Sequence, residues 1–275
     1  MNNTWLITGS SSGIGRAVLE QLLARGDRVA ATLRNPDVLA KLQARYGEQL
    51  WLAQLDVDDT QAIRRVVRQA FSAMGRIDIV LGSAGYALFG AAEEVSDEQI
   101  DQQLKTNLIG SIQVIRACLP HLRDQGGGRV LQVSSEGGQL AYPNFSLYHA
   151  SKWGIEGFVE AVAQEVAPFG IGLTLIEPGP TRTNFRASLV SPEPMAVYEH
   201  TPAGEVRRAV ASGAFVLKGD AQKMATAIIA AAAIHPAPRR LLLGTDAYER
   251  VHGALTERLA ALEAQRAVAQ GTDMD

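Results

Sequence analysis

The chain has 275 residues, 47% of them hydrophobic, and a formal net charge of -3 at pH 7. This length allows one sizeable core and lies near the size at which chains divide into domains. Because both signs of charge are mixed along the sequence, it offers neither a basic stripe for nucleic acid nor a polybasic patch for a membrane surface, so we expect a small-molecule partner.

The cysteine content and the length of the apolar segments indicate the cellular compartment in which we expect the protein. Cys118 is the single cysteine, which excludes an internal disulfide and fits a reducing compartment, by default the cytoplasm. The N-terminus leads directly into an apolar segment at Thr4 without a charged leader, and no apolar segment approaches the ~18 residues of a membrane span. The sequence also contains no cluster of histidines and cysteines that would indicate a metal site.

Short apolar or β-branched segments alternate with longer helical patterns from the start of the chain to about position 180. This alternation predicts an α/β fold with a doubly wound parallel sheet of the Rossmann type, about seven strands and helices on both faces. The predicted strands cover residues 4–8, 28–33, 50–55, 77–83, 129–134, 171–176 and 240–243. The predicted helices cover residues 14–25, 37–45, 59–74, 97–123, 147–168 and 220–234.

Two segments lie outside this alternation. Residues 185–218 contain three prolines and scattered apolar side chains, which is typical of a loop with short helices and predicts a substrate lid. We assign residues 1–250 to a single catalytic domain and residues 251–275 to a C-terminal helix and polar tail. Leucines at helical spacing in that last segment predict packing against the body or against a second subunit.

A glycine-rich turn follows the first strand and opens the first helix. It reads Thr8-Gly9-Ser-Ser-Ser-Gly13-Ile-Gly15. Glycines allow a tight turn and close approach of phosphates, and the free amides at a helix N-terminus favour a pyrophosphate. The predicted cofactor contacts here are Gly9, Ser11, Ser12, Gly13, Ile14 and Gly15.

The residue after the second strand predicts which dinucleotide binds. An acidic residue there would bind a ribose 2′-hydroxyl, whereas an arginine would neutralise a 2′-phosphate. The chain has Arg34 at this position, and Asp27 lies at the opposite end of the strand. We therefore expect NADP(H) in preference to NAD(H). Binding of NAD(H) stays possible, because an arginine on a loop can also be an ordinary surface charge without a ligand.

Tyr148 and Lys152 are four residues apart in the helical segment 147–168 and so share one helix face. A neighbouring cation favours phenolate, which predicts a lowered pKa for Tyr148 and a role as acid or base. His149 is adjacent in sequence and points about 100° away, so we assign it a structural role. Alone, the Tyr-x-x-x-Lys pattern also arises by chance on solvated helices.

Together, these motifs resemble the short-chain dehydrogenase/reductase family in order and spacing, over about residues 4–245. The segments that match are Thr8 to Gly15, Asp56-Val57, Ser83-Ala84-Gly85, Asn107, Ser134-Ser135, Tyr148 with Lys152, and Pro178-Gly179. Within the family, Ala31-Thr-Leu-Arg34, Phe158-Val-Glu-Ala161 and Ile176-Glu-Pro-Gly179 look most similar to the 17β-hydroxysteroid and retinol dehydrogenase-like branch.

The resemblance implies a role for each matching residue. Tyr148 would be the acid/base, Ser135 would hydrogen-bond the substrate oxygen, Lys152 would also hold the nicotinamide ribose, and Asn107 would hold a water in the proton path. The implied cofactor contacts beyond the glycine-rich turn and Arg34 are Asp56, Val57, Ser83, Ala84, Gly85, Tyr148, Lys152, Pro178, Gly179, Thr181 and Thr183.

Several of these positions have a second interpretation. Ser83 stands where the family usually has asparagine, which leaves cofactor affinity and local rigidity open. Serine at a strand end is also a common turn former, which is the alternative for Ser135. Asn107 lies inside a predicted helix, where it indicates a local kink, a bound water or a turn cap.

The predicted function is hydride transfer between nicotinamide and a carbon bearing a hydroxyl or carbonyl group, that is, an alcohol/ketone or aldehyde substrate. Alternatives are a non-catalytic NADP(H)-binding sensor of the same fold and, less in keeping with the chain length, a sugar epimerase or dehydratase. The resemblance also implies a homodimer or homotetramer formed through segments 97–123 and 147–168. Apolar side chains that would line a lipophilic substrate pocket, or alternatively belong to core or lid packing, are Leu140, Tyr142, Phe145, Phe185, Met195, Val197 and Tyr198.

Overall fold

A computed structural model describes residues 2–185, 188–214 and 216–274. Its β-strands are β1 (Thr4–Thr8), β2 (Arg28–Leu33), β3 (Leu50–Gln54), β4 (Ile79–Gly82), β5 (Gly128–Val133), β6 (Ile171–Pro178), β7 (Thr181–Arg182), β8 (Gly219–Asp220) and β9 (Arg240–Leu243). Its α-helices are α1 (Gly13–Arg25), α2 (Ala40–Tyr46), α3 (Thr60–Met74), α4 (Asp97–Leu104), α5 (Ser111–Asp124), α6 (Ser146–Val166), α7 (Pro202–Ala211), α8 (Ala221–Ala232), α9 (Thr245–Ala264) and α10 (Arg266–Gln270).

Seven parallel strands form the central sheet of the described residues, in the order β3-β2-β1-β4-β5-β6-β9. Parallel neighbours need crossover connections, and the helices between strands supply them on both faces. All seven strands therefore end at the same edge of the sheet. This is the predicted doubly wound Rossmann-type architecture, and the prediction of the fold class is confirmed.

The sheet is buried on both faces, which explains why its central strands are almost wholly apolar. One layer of the core packs α3, α5 and α6 against the sheet, and the other packs α1 and α8 against the opposite face. In α3 the buried side chains recur at three- and four-residue intervals from Ile63 to Met74. Asp59 begins this helix by accepting hydrogen bonds from the backbone amides of Gln61 and Ala62, both at 2.9 Å.

The helix predicted over residues 97–123 is interrupted. A π-helical turn, Lys105–Gly110, lies between α4 and α5. A π turn inserts an extra residue into the helix, and such turns occur frequently at functional sites. Asn107, whose helix propensity is low, lies within this turn and is buried.

The C-terminal helix begins earlier than its leucine pattern indicated. It starts at Thr245, immediately after β9, and its first half packs on the body through the buried Ala247 and Val251. From Leu255 to Met274 every described residue is exposed. None of the helices that the structure describes is long and apolar enough to cross a lipid bilayer.

Candidate active site

The sequence-predicted site residues converge on the carboxyl edge of the sheet. The glycine-rich turn follows β1, Arg34 follows β2, Asp56 follows β3, Ser83 follows β4 and Ser135 follows β5. Pro178 ends β6, which neighbours β5. Ligands of open α/β sheets bind in the crevice beyond this edge, at the point where the strand order reverses. Here the reversal falls between β1 and β4.

The N-terminus of α1 is open to an anion. Ser12 is the N-cap residue, but its side chain makes no capping hydrogen bond, and the first turn contains no acidic residue. The first amides of the helix are therefore without a side-chain acceptor. A Cβ atom at Gly15 would lie 2.5 Å from the carbonyl oxygen of Gly9, so only glycine allows this turn. The arrangement fits the pyrophosphate of a dinucleotide.

Gly9 has two reasons to be glycine. Its φ is +69°, and a Cβ atom there would lie 2.6 to 2.7 Å from backbone atoms of Ser83 and Ala84. Gly9→Ala is therefore expected to displace the turn from the loop after β4, to lower the affinity for dinucleotide and to destabilise the protein. Gly75→Ala is the control, because Gly75 has a similar φ of +73° and no atom within 4 Å of its Cβ position.

Denaturant unfolding measures the difference between these variants. Gly9→Ala should lose about 1–3 kcal/mol more stability than Gly75→Ala, because it adds steric overlap to the backbone strain that both share. Equal losses in the two variants would contradict the close approach of the two loops.

Arg34 and Asp56 are exposed beyond the ends of neighbouring strands. Gln54 donates a hydrogen bond from its side-chain amide to the Arg34 carbonyl oxygen at 3.0 Å, which links the two strand ends. The Arg34 side chain is exposed, and no carboxylate in the described part of the chain forms an ion pair with it. Val57 is half-buried and packs against the core beside the π turn.

Tyr148 and Lys152 share one face of α6. The ammonium nitrogen of Lys152 lies 5.5 Å from the centroid of the Tyr148 ring and donates to the Val133 carbonyl oxygen at 3.2 Å. Burial raises the pKa of Tyr148 to about 12; hydrogen bonding to Ser135 opposes the increase, and Glu136 adds to it. The sequence predicted a lowered pKa for Tyr148, but in the structure this pKa is raised, because desolvation of the phenolate is the largest contribution.

Lys152 itself is buried. Burial lowers its pKa to about 8, and the carboxylate of Glu156 opposes that decrease. At neutral pH the ammonium therefore keeps most of its charge, while Tyr148 keeps its proton. This pair is suited to donating a proton to an oxygen that gains electron density.

Ser135 begins the loop after β5, and His149 fixes the shape of that loop. The Ser135 hydroxyl oxygen accepts from the Gly137 amide at 3.1 Å. His149 Nδ1 lies 2.8 Å from the Gly137 carbonyl oxygen, and its Nε2 accepts from the Tyr142 amide at 2.9 Å. These bonds require a neutral ring with its proton on Nδ1, and burial lowers the pKa of His149 accordingly. The structural role predicted for His149 agrees with this geometry.

Asn107 holds the loop after β4. Its Oδ1 accepts from the Tyr86 amide at 3.0 Å, and its Nδ2 donates to the Tyr86 carbonyl oxygen at 2.8 Å. A contact of 3.4 Å from Nδ2 to the Ser151 hydroxyl connects it to α6. Ser83, in the same loop, donates from its amide to the Thr8 hydroxyl at 3.2 Å. The side chain of Asn107 therefore acts as a turn cap in this structure.

The segment after β6 crosses toward the glycine-rich turn. The Thr181 hydroxyl donates to the Gly179 carbonyl oxygen at 2.7 Å, and the Thr183 hydroxyl accepts from the Phe185 amide at 3.2 Å. A Cβ atom at Gly13 would lie 3.9 Å from the Thr183 side chain. The two sides of the crevice thus approach each other at Gly13 and Thr183.

A buried network of charges supports α6 behind Lys152, and the sequence analysis missed it. Arg240 donates to Glu156 and to Glu177, each at 2.5 Å, and also contacts the exposed Glu160. Ser134 donates to Glu156 at 2.5 Å. Burial raises the pKa of Glu177 to about 7, Glu156 adds to the increase, and Arg240 opposes it. The signal in the sequence was the spacing of Lys152, Glu156 and Glu160 at every fourth position.

Aromatic rings surround the phenol. The rings of Phe145 and Phe185 each lie 6.1 Å from that of Tyr148, in edge-on contact. Phe89, which the sequence analysis did not single out, lies 4.9 Å from Phe145. Among the other predicted pocket residues, Leu140 is buried and Val197 is exposed.

No group of three or more His, Cys, Asp or Glu side chains could hold a metal ion within the described part of the chain. Such a sheet, with an open helix N-terminus and a tyrosine, serine and lysine at one edge, defines the class of dinucleotide-dependent oxidoreductases. A family model described as short chain dehydrogenase matches residues 3–194. The chain belongs to this family, and it is an NAD(P)-dependent dehydrogenase/reductase.

Relatives with known names agree with the family. Oxidoreductase BOA17 of Botryotinia fuckeliana is 36% identical over 262 residues, which cover 95% of both chains. A 3-ketodihydrosphingosine reductase of Bacteroides thetaiotaomicron is 36% identical over 180 residues, which cover 66% of this chain and 64% of that protein. The crystal structure of a short-chain dehydrogenase from Streptomyces avermitilis has a TM-score of 0.92 and 36% identity, with all of both chains covered.

Proposed function

We propose that the protein is an NADP(H)-dependent oxidoreductase that interconverts a carbonyl group and a primary or secondary alcohol on a lipophilic substrate. The observation that carries this proposal is the convergence of Tyr148, Lys152 and Ser135 at the carboxyl edge of the sheet, beside an open helix N-terminus. The phenol can exchange a proton with a substrate oxygen, and the serine hydroxyl can donate to the same oxygen.

A bound nicotinamide would supply or accept the hydride, while the protein's own groups bind, orient and move the proton. Tyr148 is the proton donor in reduction, since its raised pKa keeps the phenol protonated at neutral pH. Lys152 stabilises the phenolate that remains after transfer. Ser135 orients the oxygen, and Asn107 keeps the loop after β4 in place through Tyr86.

The amides that open α1 would hold the cofactor's pyrophosphate. Contacts proposed for the rest of the cofactor are Arg34, Asp56, Val57, Ser83, Ala84, Gly85, Pro178, Gly179, Thr181 and Thr183. All of them lie at the same edge of the sheet, at or after the ends of β2, β3, β4 and β6. The Ser83 backbone amide donates a hydrogen bond to the Thr8 hydroxyl, so the loop after β4 is anchored even though serine replaces the asparagine usual in the family.

Preference for NADP(H) depends on Arg34. Arg34→Gln is expected to weaken NADPH binding by roughly 10- to 100-fold, the value of a charge-assisted hydrogen bond, and to leave NADH binding within about twofold. Titrating each cofactor against the variant measures this. Arg64→Gln is the matched control, since Arg64 is an exposed arginine on α3. An unchanged ratio of NADPH to NADH affinity would show that Arg34 is only a surface charge.

The rings of Phe145 and Phe185 beside Tyr148 support a lipophilic substrate. The relative named 3-ketodihydrosphingosine reductase supports a ketone as the substrate and reduction as the direction of the reaction.

We further propose residues 185–218 as a lid over this pocket. Leu88 and Val190 pair as an isolated bridge, and Arg207 contacts the buried Glu94 at 2.6 Å, so the segment is docked on the loop after β4. Arg186, Ala187 and Phe215 of this segment lie outside the described residues.

The function is tested by turnover. Purified protein is mixed with NADPH or NADH and with ketones and aldehydes of increasing chain length, and cofactor oxidation is followed. We expect faster turnover with NADPH and a rise in kcat/KM with apolar chain length. Tight NADPH binding without turnover on any carbonyl compound would instead support a sensor of the same fold.

We also propose a homodimer or homotetramer. Ile109 and Trp153, on the segments 97–123 and 147–168, are each 44% exposed. Burying such side chains between subunits would stabilise the assembly. Light scattering on the purified protein measures its molar mass in solution. A mass equal to that of one chain at micromolar concentration would contradict the proposal.

A further inference from the structure

The residue after Ser135 is a buried carboxylate held by the C-terminal helix. The Glu136 side chain is 5% exposed, and Arg250 of α9 reaches both of its oxygens, with contacts from Nη2 at 2.9 and 3.0 Å and from Nε at 3.2 Å. This forked arrangement fixes direction as well as distance. Arg250 lies outside the segment 3–194 that the family model matches.

The same helix contacts two sides of the candidate active site. Ala247 packs against Gly179, where a Cβ atom would lie 2.8 Å from the Ala247 side chain. One turn later Arg250 binds the loop that begins at Ser135, and further along Arg258 donates to the Gln139 carbonyl oxygen of that loop. The start of α9 therefore braces both the segment after β6 and the loop after β5.

The ion pair of Glu136 with Arg250 also affects the electrostatics around Tyr148. Burial raises the pKa of Glu136, and Arg250 opposes the increase. The Glu136 carboxylate in turn raises the pKa of Tyr148. The other charged or titratable groups around these two residues are Asp246 and Tyr142, which face Glu136, and Lys152, Glu156 and His149, which face Tyr148. The Glu136 carboxylate therefore disfavours the phenolate form of Tyr148, and Arg250 supplies the opposite charge in direct contact with that carboxylate.

We propose that Arg250 is a positioning residue of the active site: through Glu136 it fixes the loop that carries Ser135 and cancels a carboxylate charge beside Tyr148. This rests on the proposed function of Tyr148 as acid/base. Arg250 does not touch the reacting atoms; besides Glu136 it also contacts Asp246, four residues earlier on α9, at 3.2 Å. The C-terminal helix is thus part of the catalytic structure, although none of the family's motif residues lies on it.

The test is a set of variants compared by the pH dependence of alcohol oxidation, whose rate rises with the phenolate fraction of Tyr148 at pH values below its pKa of about 12, so a change in that pKa displaces this rising limb along the pH axis. Arg250→Met leaves Glu136 without its cation, so the limb should move to higher pH by roughly 0.5 unit or more. Glu136→Gln removes the carboxylate that opposes the phenolate and leaves Arg250 paired with Asp246 alone, so the limb should move to lower pH. The double variant removes both charges, and its limb should return close to that of the unaltered protein.

Arg250→Lys and Arg258→Met serve as controls. The lysine variant keeps the positive charge and should keep the limb in place even if its kcat falls through loss of the fork. Arg258 contacts the same loop through a backbone oxygen, so its variant should not move the limb. Shifts of the same sign in Arg250→Met and Glu136→Gln, or no shift in either, would overturn the proposal.

Stability provides a readout that does not need turnover. Arg250→Met should lower the thermal midpoint by several degrees, because it leaves a buried charge unpaired, and adding Glu136→Gln should recover part of the loss. Additive losses in the double variant would contradict the coupling. If the unaltered protein oxidises no alcohol, the proposed function fails, while the coupling of Arg250 to Glu136 is still tested by these midpoints.

Discussion

Replacing Tyr148 with phenylalanine is expected to lower kcat by about 10²- to 10⁴-fold, the usual contribution of a general acid. The substitution removes only the hydroxyl, so the ring contacts with Phe145 and Phe185 should persist. NADPH affinity and the thermal midpoint should therefore stay close to those of the unaltered protein. Stopped-flow or steady-state assays, together with a cofactor titration, measure both parts of this expectation.

Tyr248→Phe is the matched control, because Tyr248 is a tyrosine 61% exposed on α9. Its kcat should not change.

The pH dependence of the two reaction directions is a further check on the role of Tyr148. Since burial raises the pKa of Tyr148 to about 12, the protonated phenol is available throughout the neutral range, so carbonyl reduction should change little with pH until Lys152, whose pKa is about 8, begins to lose its charge. Alcohol oxidation needs the phenolate and should accelerate as pH rises. Near-native turnover by Tyr148→Phe would refute the assignment of this residue.

The second large effect is expected at Arg240. Arg240→Met leaves Glu156 and Glu177, which are 4% and 0% exposed, without their cation. Removing one partner of a buried ion pair typically costs about 3–5 kcal/mol, and we expect a loss in this range from denaturant unfolding. Because Glu156 also faces Lys152, the variant should lose activity as well.

Glu160→Gln provides the comparison, since it removes an ion pair of the same arginine whose carboxylate is half exposed. That change should cost less than about 1 kcal/mol. The folded-state pKa of Glu177 is already raised to about 7, above its ordinary value, so its neutral form favours the folded state at low pH, and this contribution disappears as pH rises through 7. The loss in Arg240→Met should thus be smaller at pH 5 than at pH 8. An equal loss in Arg240→Met and Glu160→Gln would contradict the buried network.

Periodicity in the sequence predicted the strands well because a sheet buried on both faces requires apolar segments of defined length. β1, β2 and β9 begin and end at the predicted residues. The interruption at Lys105–Gly110 was not predicted as a π turn, because it depends on a tertiary contact. Asn107 pairs with the backbone of Tyr86, 21 residues earlier, and no local pattern records that pairing.

In the candidate site, too, contacts set by local geometry were predictable from the sequence and contacts set by the tertiary fold were not. Tyr148 and Lys152 are neighbours through helix geometry, so their four-residue spacing was sufficient to place them together. Arg250 lies 114 residues from Glu136, and the pair forms only because the tertiary fold brings α9 against the loop after β5. The net pKa of Tyr148 was also beyond local reasoning, since it depends on how deeply the whole fold buries the phenol.

The short pair of β7 and β8 has a consequence for how such enzymes diversify. Thr181 pairs with Gly219 and Arg182 with Asp220, so both ends of the intervening segment are joined at one point beside the sheet. Chain inserted or exchanged between these two anchors leaves the order of the strands in the central sheet as it is. We expect exchange of this segment, proposed above as a lid, to change the range of substrates while Tyr148 and Lys152 keep their places on α6.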